Sequence, residues 1–335
     1  MRLILKKIKK IVKYIIFLII ISKIFQDLFQ NLSIETVSET KTIEVIEYEE
    51  FDYGDYRNIK LLHTNNNEIE EIPLDIYLYG VVASEMPASF EMEALKAQAV
   101  VARTYTIYKI MMGSKHQDVN ADICDNHLCC QAWISKENRL ARWNEKERIN
   151  NLRKIENAVN STIGKVILYE GKPINAFFHS NSGGSTEEPI NVWGGSYNYL
   201  QTVETSGEEE YSSYFSEIIL SQDELIVKML EKYSDFSIDF ESEKCLEILE
   251  KTESGRVKKI KIGNKEISGV EARSIFGLKS AKFCILLEGQ NIKFSVLGYG
   301  HGVGLSQCGS DSLAKNGFDY IQIIKHYYKD VEISE

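Results

Sequence analysis

The chain has 335 residues, enough for about two folded domains with a sizeable core. Its 39 Lys and Arg are outnumbered by 49 Asp and Glu, leaving a net charge of −10, so the basic face of a nucleic-acid binder is not expected. The sequence carries no collagen-like or low-complexity repeat.

The N-terminus differs from the rest. Arg2, Lys6, Lys7, Lys9, Lys10 and Lys13 lead into the apolar run Tyr14-Ile-Ile-Phe-Leu-Ile-Ile-Ile-Ser22, and apolar character resumes after Lys23 at Ile24, Phe25, Leu28 and Phe29. Residues 11–29 approach the roughly 20 residues needed to span a bilayer, and a lysine near a helix end can snorkel to the interface. The plain alternative is a basic amphipathic helix. The charge asymmetry favours a signal anchor with residues 1–10 in the cytoplasm. No small-x-small cleavage site follows, which favours an anchor that is retained. Residues 30–55, acidic at Glu39, Glu44, Glu47, Glu49 and Glu50, read as a stalk outside the membrane.

Arg57–His63 predicts a strand. The segment from Ile72 predicts a short helix that ends near Glu85, because Pro87 disfavours helix at Met86. Ser89 is the expected N-cap of a second helix covering 91–106, with Leu95, Ala99, Ala102 and Tyr105 on one apolar face. Residues 113–130 read as a loop and Glu145–Asn160 as a charged helix. Val166–Tyr169 and Ile174–His179 flank Glu170-Gly171-Lys172, a hairpin signal. A glycine-rich loop follows at 180–186. Residues 207–290 begin acidic and then turn strand-rich, as at Arg256–Ile262 and Phe283–Glu288. A second glycine-dense loop, 298–307, opens a final helix near 306–316.

Three places could carry chemistry. Glu85 sits at a helix break among apolar neighbours, where burial raises a carboxyl pKa and equips it as a general acid; the bland alternative is a solvated turn residue. The loop around His301 lacks the strand-GxGxxG-helix context and the Lys-Ser/Thr of a phosphate loop, so a polar ligand site lined by His301, Ser306 and Gln307 fits better than a nucleotide site. His179 and Ser180 lack a nucleophile elbow and an orienting acid, which argues against a serine hydrolase. Cys124, His127, Cys129 and Cys130 have metal-like content, although Cys129 and Cys130 are adjacent and should point apart. A disulfide from Cys124 to Cys129 or Cys130 is the competing reading. Cys245, Cys284 and Cys308 read as buried small apolar residues.

Several stretches, in order, resemble the stage II sporulation protein D family. They are Leu74-Asp-Ile-Tyr-Leu-Tyr-Gly-Val-Val-Ala-Ser-Glu-Met-Pro, Glu93-Ala-Leu-Lys-Ala-Gln-Ala-Val-Val-Ala-Arg-Thr-Tyr, Phe178-His-Ser-Asn-Ser-Gly-Gly with Trp193-Gly-Gly and Tyr199-Leu, Ile275-Phe-Gly-Leu-Lys-Ser-Ala-Lys-Phe, and Gly300-His-Gly-Val-Gly-Leu-Ser-Gln. The resemblance covers most of residues 55–330. It implies a peptidoglycan lytic transglycosylase with Glu85 as catalytic acid, acting on glycan strands already stripped of stem peptides. It also implies a sporulation amidase and a membrane engulfment protein as partners. Arg103, Tyr105, His179, Ser180, His301, Ser306 and Gln307 are the candidates for positioning the glycan; Arg103 reads equally as a structural ion-pair partner and Tyr105 as core. The resemblance to clostridial members favours zinc over a disulfide, with Cys124 and Cys130 as ligands and His127 as a third candidate.

The expected fold class is α+β. A mixed helical and β catalytic core, residues 56–206 and 291–335, is interrupted by a strand-rich inserted or second domain at 207–290 and follows an N-terminal transmembrane helix. Two rival functions are a catalytically inert glycan-binding scaffold that recruits an amidase, and a metal-dependent hydrolase centred on Cys124 and Cys130. The expected location is the cell membrane, with the folded part extracytoplasmic in the intermembrane space of the sporangium.

Overall fold

The computed structural model describes Lys23 and residues 53–334, and the expected cytoplasmic segment, anchor and most of the stalk lie outside them. Among the described residues no helix is long and apolar enough to cross a membrane. Helices and strands are intermixed along the chain, as an α+β class requires.

Strand β1 (Asn58–His63) pairs antiparallel with β2 (Glu68–Pro73). The second of these was not expected: its Glu-Ile-Glu-Glu run has no apolar alternation, and it is an exposed partner held by β1 alone on one side. Helix α1 (Leu74–Glu85) follows directly. Met86 is extended at φ −121° and ψ 142°, the conformation that a following proline imposes, so α1 stops at Glu85. Helix α2 (Met92–Met111) starts after Glu91 with no side-chain cap, so Ser89 does not cap it. The Glu91 backbone N–H instead donates to Asp311, 2.5 Å away on a distant segment.

Helix α2 is the axis of the core. From Ala94 to Ile107 it is buried on nearly every side, with Gln98, Arg103, Thr104 and Thr106 buried too. A helix wrapped all round carries no single apolar stripe, which is why a one-sided pattern understates its burial. It packs on α1, on α4 (Arg148–Asn160), and on the C-terminal α7 (Gln307–Lys315) and α8 (Tyr320–Tyr327). Between α2 and α4 lie β3 (Ile123–Cys124), parallel to β1, and α3 (Lys136–Arg142).

The hairpin at Glu170–Gly171 forms as expected, with both residues at positive φ (51° and 72°) joining β4 (Ile167–Tyr169) to β5 (Lys172–Pro173). The expected strand 174–179 is instead split. Its end, β6 (Phe178–His179), pairs parallel with β13 (Leu305–Ser306), which joins the two glycine-rich loops. The C-terminal β14 (Glu332–Ile333) returns to β4.

A second hydrophobic cluster gathers residues from 220 to 296, among them Leu225, Met229, Ile260, Phe276, Ile292 and Phe294. Two three-stranded sheets build it. One is β7 (Phe215–Ser221), β12 (Asn291–Leu297) and β11 (Phe283–Glu288); the other is β8 (Leu246–Lys251), β9 (Val257–Ile262) and β10 (Lys265–Ser268). Helices α5 (Gln222–Lys232) and α6 (Gly269–Phe276) complete it. Strand β12 runs beyond residue 290 and is the central strand of its sheet, so the second cluster extends into the segment assigned to the core from sequence.

Candidate functional site

Glu85 ends α1, and its carboxylate accepts two contacts. The Ala132 backbone N–H donates to Oε1 at 2.7 Å, and the Gln307 amide nitrogen stands 3.5 Å from Oε2. The side chain keeps some exposed surface but is hemmed in by protein on most sides, and burial raises its pKa against the pull of those two donors. Ala132 is held close because Gly80 of α1 carries no side chain: a Cβ there would stand 2.2 Å from the Trp133 indole nitrogen and 2.7 Å from the Ile134 carbonyl. Gln307 opens α7 and also lies 3.5 Å from Gln98 of α2. Residues 222 positions apart therefore meet at one carboxyl group.

Tyr105 lies on the same side. Burial raises its phenol, and the thiols of Cys130, Cys129 and Cys124 and the Glu85 carboxylate push it further the same way. A row of rings runs on from it. Tyr105 and Phe177 have centroids 6.3 Å apart, Phe177 and Trp193 4.7 Å, Trp193 and His301 4.9 Å, and His301 and His179 5.6 Å. Trp193 is 52% exposed, so this row reaches the surface.

Both histidines are held neutral. Burial, with Arg256 as the next cause, lowers His179 to about 3; burial and the His179 ring push His301 well below its ordinary value. His179 Nδ1 faces the Val303 carbonyl at 3.2 Å, while His301 Nδ1 accepts the Val303 N–H at 3.0 Å. The imidazoles thus fix the loop at Val303 and offer no general acid near neutral pH.

Other expected site residues are placed elsewhere. Arg103 is fully buried, paired with Asp75 at 3.0 Å and hydrogen-bonded to the carbonyl of Thr162 at 2.8 Å. It ties α1, α2 and the end of α4 together, the part of a structural ion-pair partner. Ser306 is buried as well: it caps α7 through the Gly309 N–H and donates to Glu208. Glu208 also takes Ser182 at 2.6 Å, Thr205 at 2.8 Å and the Gly184 N–H at 2.9 Å, so Ser306 belongs to an internal network. Ser180 is half-buried beside His179, and its carbonyl receives the Cys308 N–H.

All six cysteines are free, so neither proposed disulfide forms, and Cys284 is exposed where burial was expected. His116, Cys124, Cys129 and Cys130 bring one ligand atom each within 4.8 Å of one another. His127 is not in this group; His116 stands where a histidine ligand was expected. The adjacent Cys129 and Cys130 converge, because the turn Asn126–Cys130 coils back on itself through hydrogen bonds to the Asn126 carbonyl. Their sulfurs are 3.8 Å apart, and His116 Nε2 lies 3.5 Å and 3.7 Å from them. Bonds of about 2.3 Å to sulfur and about 2.0 Å to nitrogen set tetrahedral ligand spacings of roughly 3.5–3.8 Å, which the His116, Cys129 and Cys130 atoms match, with the Cys124 sulfur within 4.8 Å of each, so the donors suit zinc. A hydrogen bond from Cys130 lowers the pKa of the Cys124 thiol, which favours a thiolate in the cluster.

Sequence reasoning passed over Ala132, Gln98, His116, Phe177 and Trp193. Of these, His116, Gln98 and Trp193 had a signal: the first lies in the same loop as the cysteines, the other two in motifs already singled out.

Comparison with known proteins agrees with the family resemblance. A family profile described as stage II sporulation protein matches residues 63–169. The stage II sporulation protein D of Bacillus amyloliquefaciens is 34% identical over 83% of this chain and 79% of its own length. That of Bacillus subtilis (strain 168) is likewise 34% identical over 83% and 79%. A Bacillus subtilis protein called amidase enhancer is 29% identical over 75% of this chain and 39% of its own length. The chain belongs to the stage II sporulation protein D family.

Proposed function

We propose that the protein is a peptidoglycan lytic transglycosylase, with Glu85 as its sole acid–base group. The observation that carries the reading is the Glu85 carboxyl itself: burial raises its pKa, and a backbone N–H and a side-chain amide nitrogen stand at its two oxygens. Hydrolytic glycosidases of the usual kind need two carboxyl groups, at retaining or inverting separation. Intramolecular transfer needs one.

The protonated Glu85 gives its proton to the glycosidic oxygen as the β-1,4 bond after N-acetylmuramic acid breaks, and N-acetylglucosamine leaves with a new hydroxyl. The C6 hydroxyl of the muramic acid forms a bond to its own C1 and returns its proton to the Glu85 carboxylate. The product ends in a 1,6-anhydro ring and the enzyme regains its starting protonation. The Ala132 N–H supports the ionised form in the middle of the cycle, and Gln307 holds the second oxygen in place. Phe177 and the exposed Trp193 supply faces on which sugar rings stack, with Tyr105, which is buried in the core, behind them.

Zinc bound by His116, Cys124, Cys129 and Cys130 would cross-link residues 116–130 and so stiffen the ground on which Tyr105 rests. The basic and apolar N-terminus supports anchoring in the cell membrane with residues beyond about 30 outside, during engulfment of the forespore. The test is digestion of peptide-free glycan strands by the wild type and by Glu85→Gln, with mass spectrometry of the ends.

A second reading has one observation in its favour. A relative bears the name amidase enhancer, which fits a glycan-binding scaffold that recruits or activates a cell-wall amidase. It predicts strand binding without anhydro products, and stimulation of the amidase that survives Glu85→Gln.

A further inference from the structure

Lys109 lies in the last turn of α2, one turn beyond Tyr105, so the two side chains leave the same face. Its ammonium stands 4.9 Å from the ring centroid of Tyr105, 5.6 Å from that of Phe177 and 5.8 Å from that of Tyr108. Among the described residues it has no carboxylate partner and no hydrogen bond, although the chain carries ten more acidic than basic groups. Burial lowers its pKa, and Lys115 adds to the effect. A half-buried ammonium packed over rings, with only the Cys130 and Cys129 sulfurs favouring its charge, has lost part of its hydration without gaining a hydrogen-bonded anion.

Its neighbours say what could supply the anion. On one side Tyr105 lies within the field of Glu85. On the other, Phe177 leads to Trp193, and Tyr197 stands 6.4 Å from Phe177, so the rings form a shelf that ends on an exposed indole. Stacking rings bind the apolar faces of sugars, while an ammonium among them selects a sugar that carries a negative charge.

We propose that Phe177 and Trp193, backed by the buried ring of Tyr105, form a saccharide subsite on the Glu85 side of the molecule, and that Lys109 reads a free carboxylate on the bound sugar. The proposal rests on the reading above of the substrate as a glycan of muramic acid and glucosamine units. In such a strand only the lactyl group of muramic acid offers a carboxylate. It is ionised when no peptide is attached and is a neutral amide when one is. Lys109 therefore distinguishes peptide-free from peptide-bearing muramic acid by charge, at a position where attraction is weakly screened.

The test measures binding in the full chain carrying Glu85→Gln, so no turnover is needed. The ligands are peptide-free strands, and the same strands with their carboxyls capped as methylamides. Lys109→Met should weaken binding of the free-acid strands about tenfold, an effect of the size expected for a partly buried charge pair. Lys109→Arg should restore most of it. Capped strands should bind about as weakly to the parent as to Lys109→Met. Equal loss on both strands, or no loss on either, would overturn the proposal. So would a fall in bound zinc without loss of discrimination, which would make Lys109 a counter-ion of the thiolates. The two readings separate cleanly. Discrimination by Lys109 with no anhydro ends from the wild type rejects the transglycosylase and keeps the subsite. Anhydro ends without discrimination keep the enzyme and reject the subsite.

Discussion

At the scale of single residues, Arg103 is fully buried and Glu85 is hemmed in by protein with some surface left exposed, and the two are answered differently. Arg103 has its charge answered by Asp75 and by backbone carbonyls. Among the described residues no cation is bonded to Glu85, and burial is felt as a raised pKa. The consequence for stability has a definite sign. A carboxyl whose folded pKa lies above its unfolded value binds more protons when folded in the window between the two, so stability falls as pH rises through that window. Glu85→Gln should thus match the wild type in acid and melt at a higher temperature near neutrality, the gap opening as pH climbs past the ordinary carboxylate range; scanning calorimetry across pH 4–8 checks this. Arg103→Met, by contrast, should cost about 3–5 kcal/mol in urea denaturation, because the Asp75 charge and several carbonyls lose their partner. A mutant that kept its stability and lost only glycan affinity would restore Arg103 to the substrate site.

At the scale of elements, the sequence made some things legible and hid others for physical reasons. The stop of α1 at Glu85 follows from Pro87, and the Glu170-Gly171 hairpin follows from residues that accept positive φ. The start of α2 was misread because Ser89 has the right chemistry for a cap, while the Glu91 N–H is satisfied by Asp311, a partner no local pattern reveals. Helices α5, α6 and α8 announce themselves by Ser221-x-x-Glu224, Ser268-x-x-Glu271 and Asp319-x-x-Gln322, and those signals were simply passed over. Of the candidate site, Glu85, Tyr105 and Gln307 are brought together, but Ser306 has the burial of a structural serine, which composition cannot show. The metal cluster was half legible. The cysteines drew attention, yet adjacent Cys129 and Cys130 converge only because of the turn at Asn126, and His116 comes in from beyond a 3-10 turn. If the donor set holds zinc, purified protein should contain about one zinc per chain by elemental analysis. Chelation should lower its melting temperature, and Cys124→Ser should abolish retention while His127→Ala leaves it unchanged.

At the scale of the whole molecule, the second hydrophobic cluster is tied to the site through the loop 180–186. Arg256, from the turn between β8 and β9, donates to the Ser182 and Ser185 carbonyls, both at 2.9 Å, and Lys282 donates to the Gly183 carbonyl at 2.9 Å. Glu187 returns the link by accepting from Thr252 and Ser254. Burial lowers Arg256 to about 10, opposed by the charges of Glu187 and Glu208. Gly302 passes so close that a Cβ there would meet the guanidinium at 2.2 Å. The residues from 207 to 297 thus clamp both glycine-rich loops, and with them His179 and His301. Arg256→Met should remove about 3–5 kcal/mol of stability by leaving buried carboxylates and carbonyls unanswered. It should also loosen Val303, visible as faster amide hydrogen exchange in residues 180–186 and 299–305. Full protection of those loops in the variant would show that the clamp is dispensable.

The central claim is that one carboxyl carries the chemistry. Its most direct test is mass spectrometry of the ends produced when purified peptide-free glycan strands are digested. The account predicts 1,6-anhydromuramic ends from the wild type and none from Glu85→Gln of unchanged fold. Reducing ends from the wild type, or anhydro ends persisting in the variant, would contradict it.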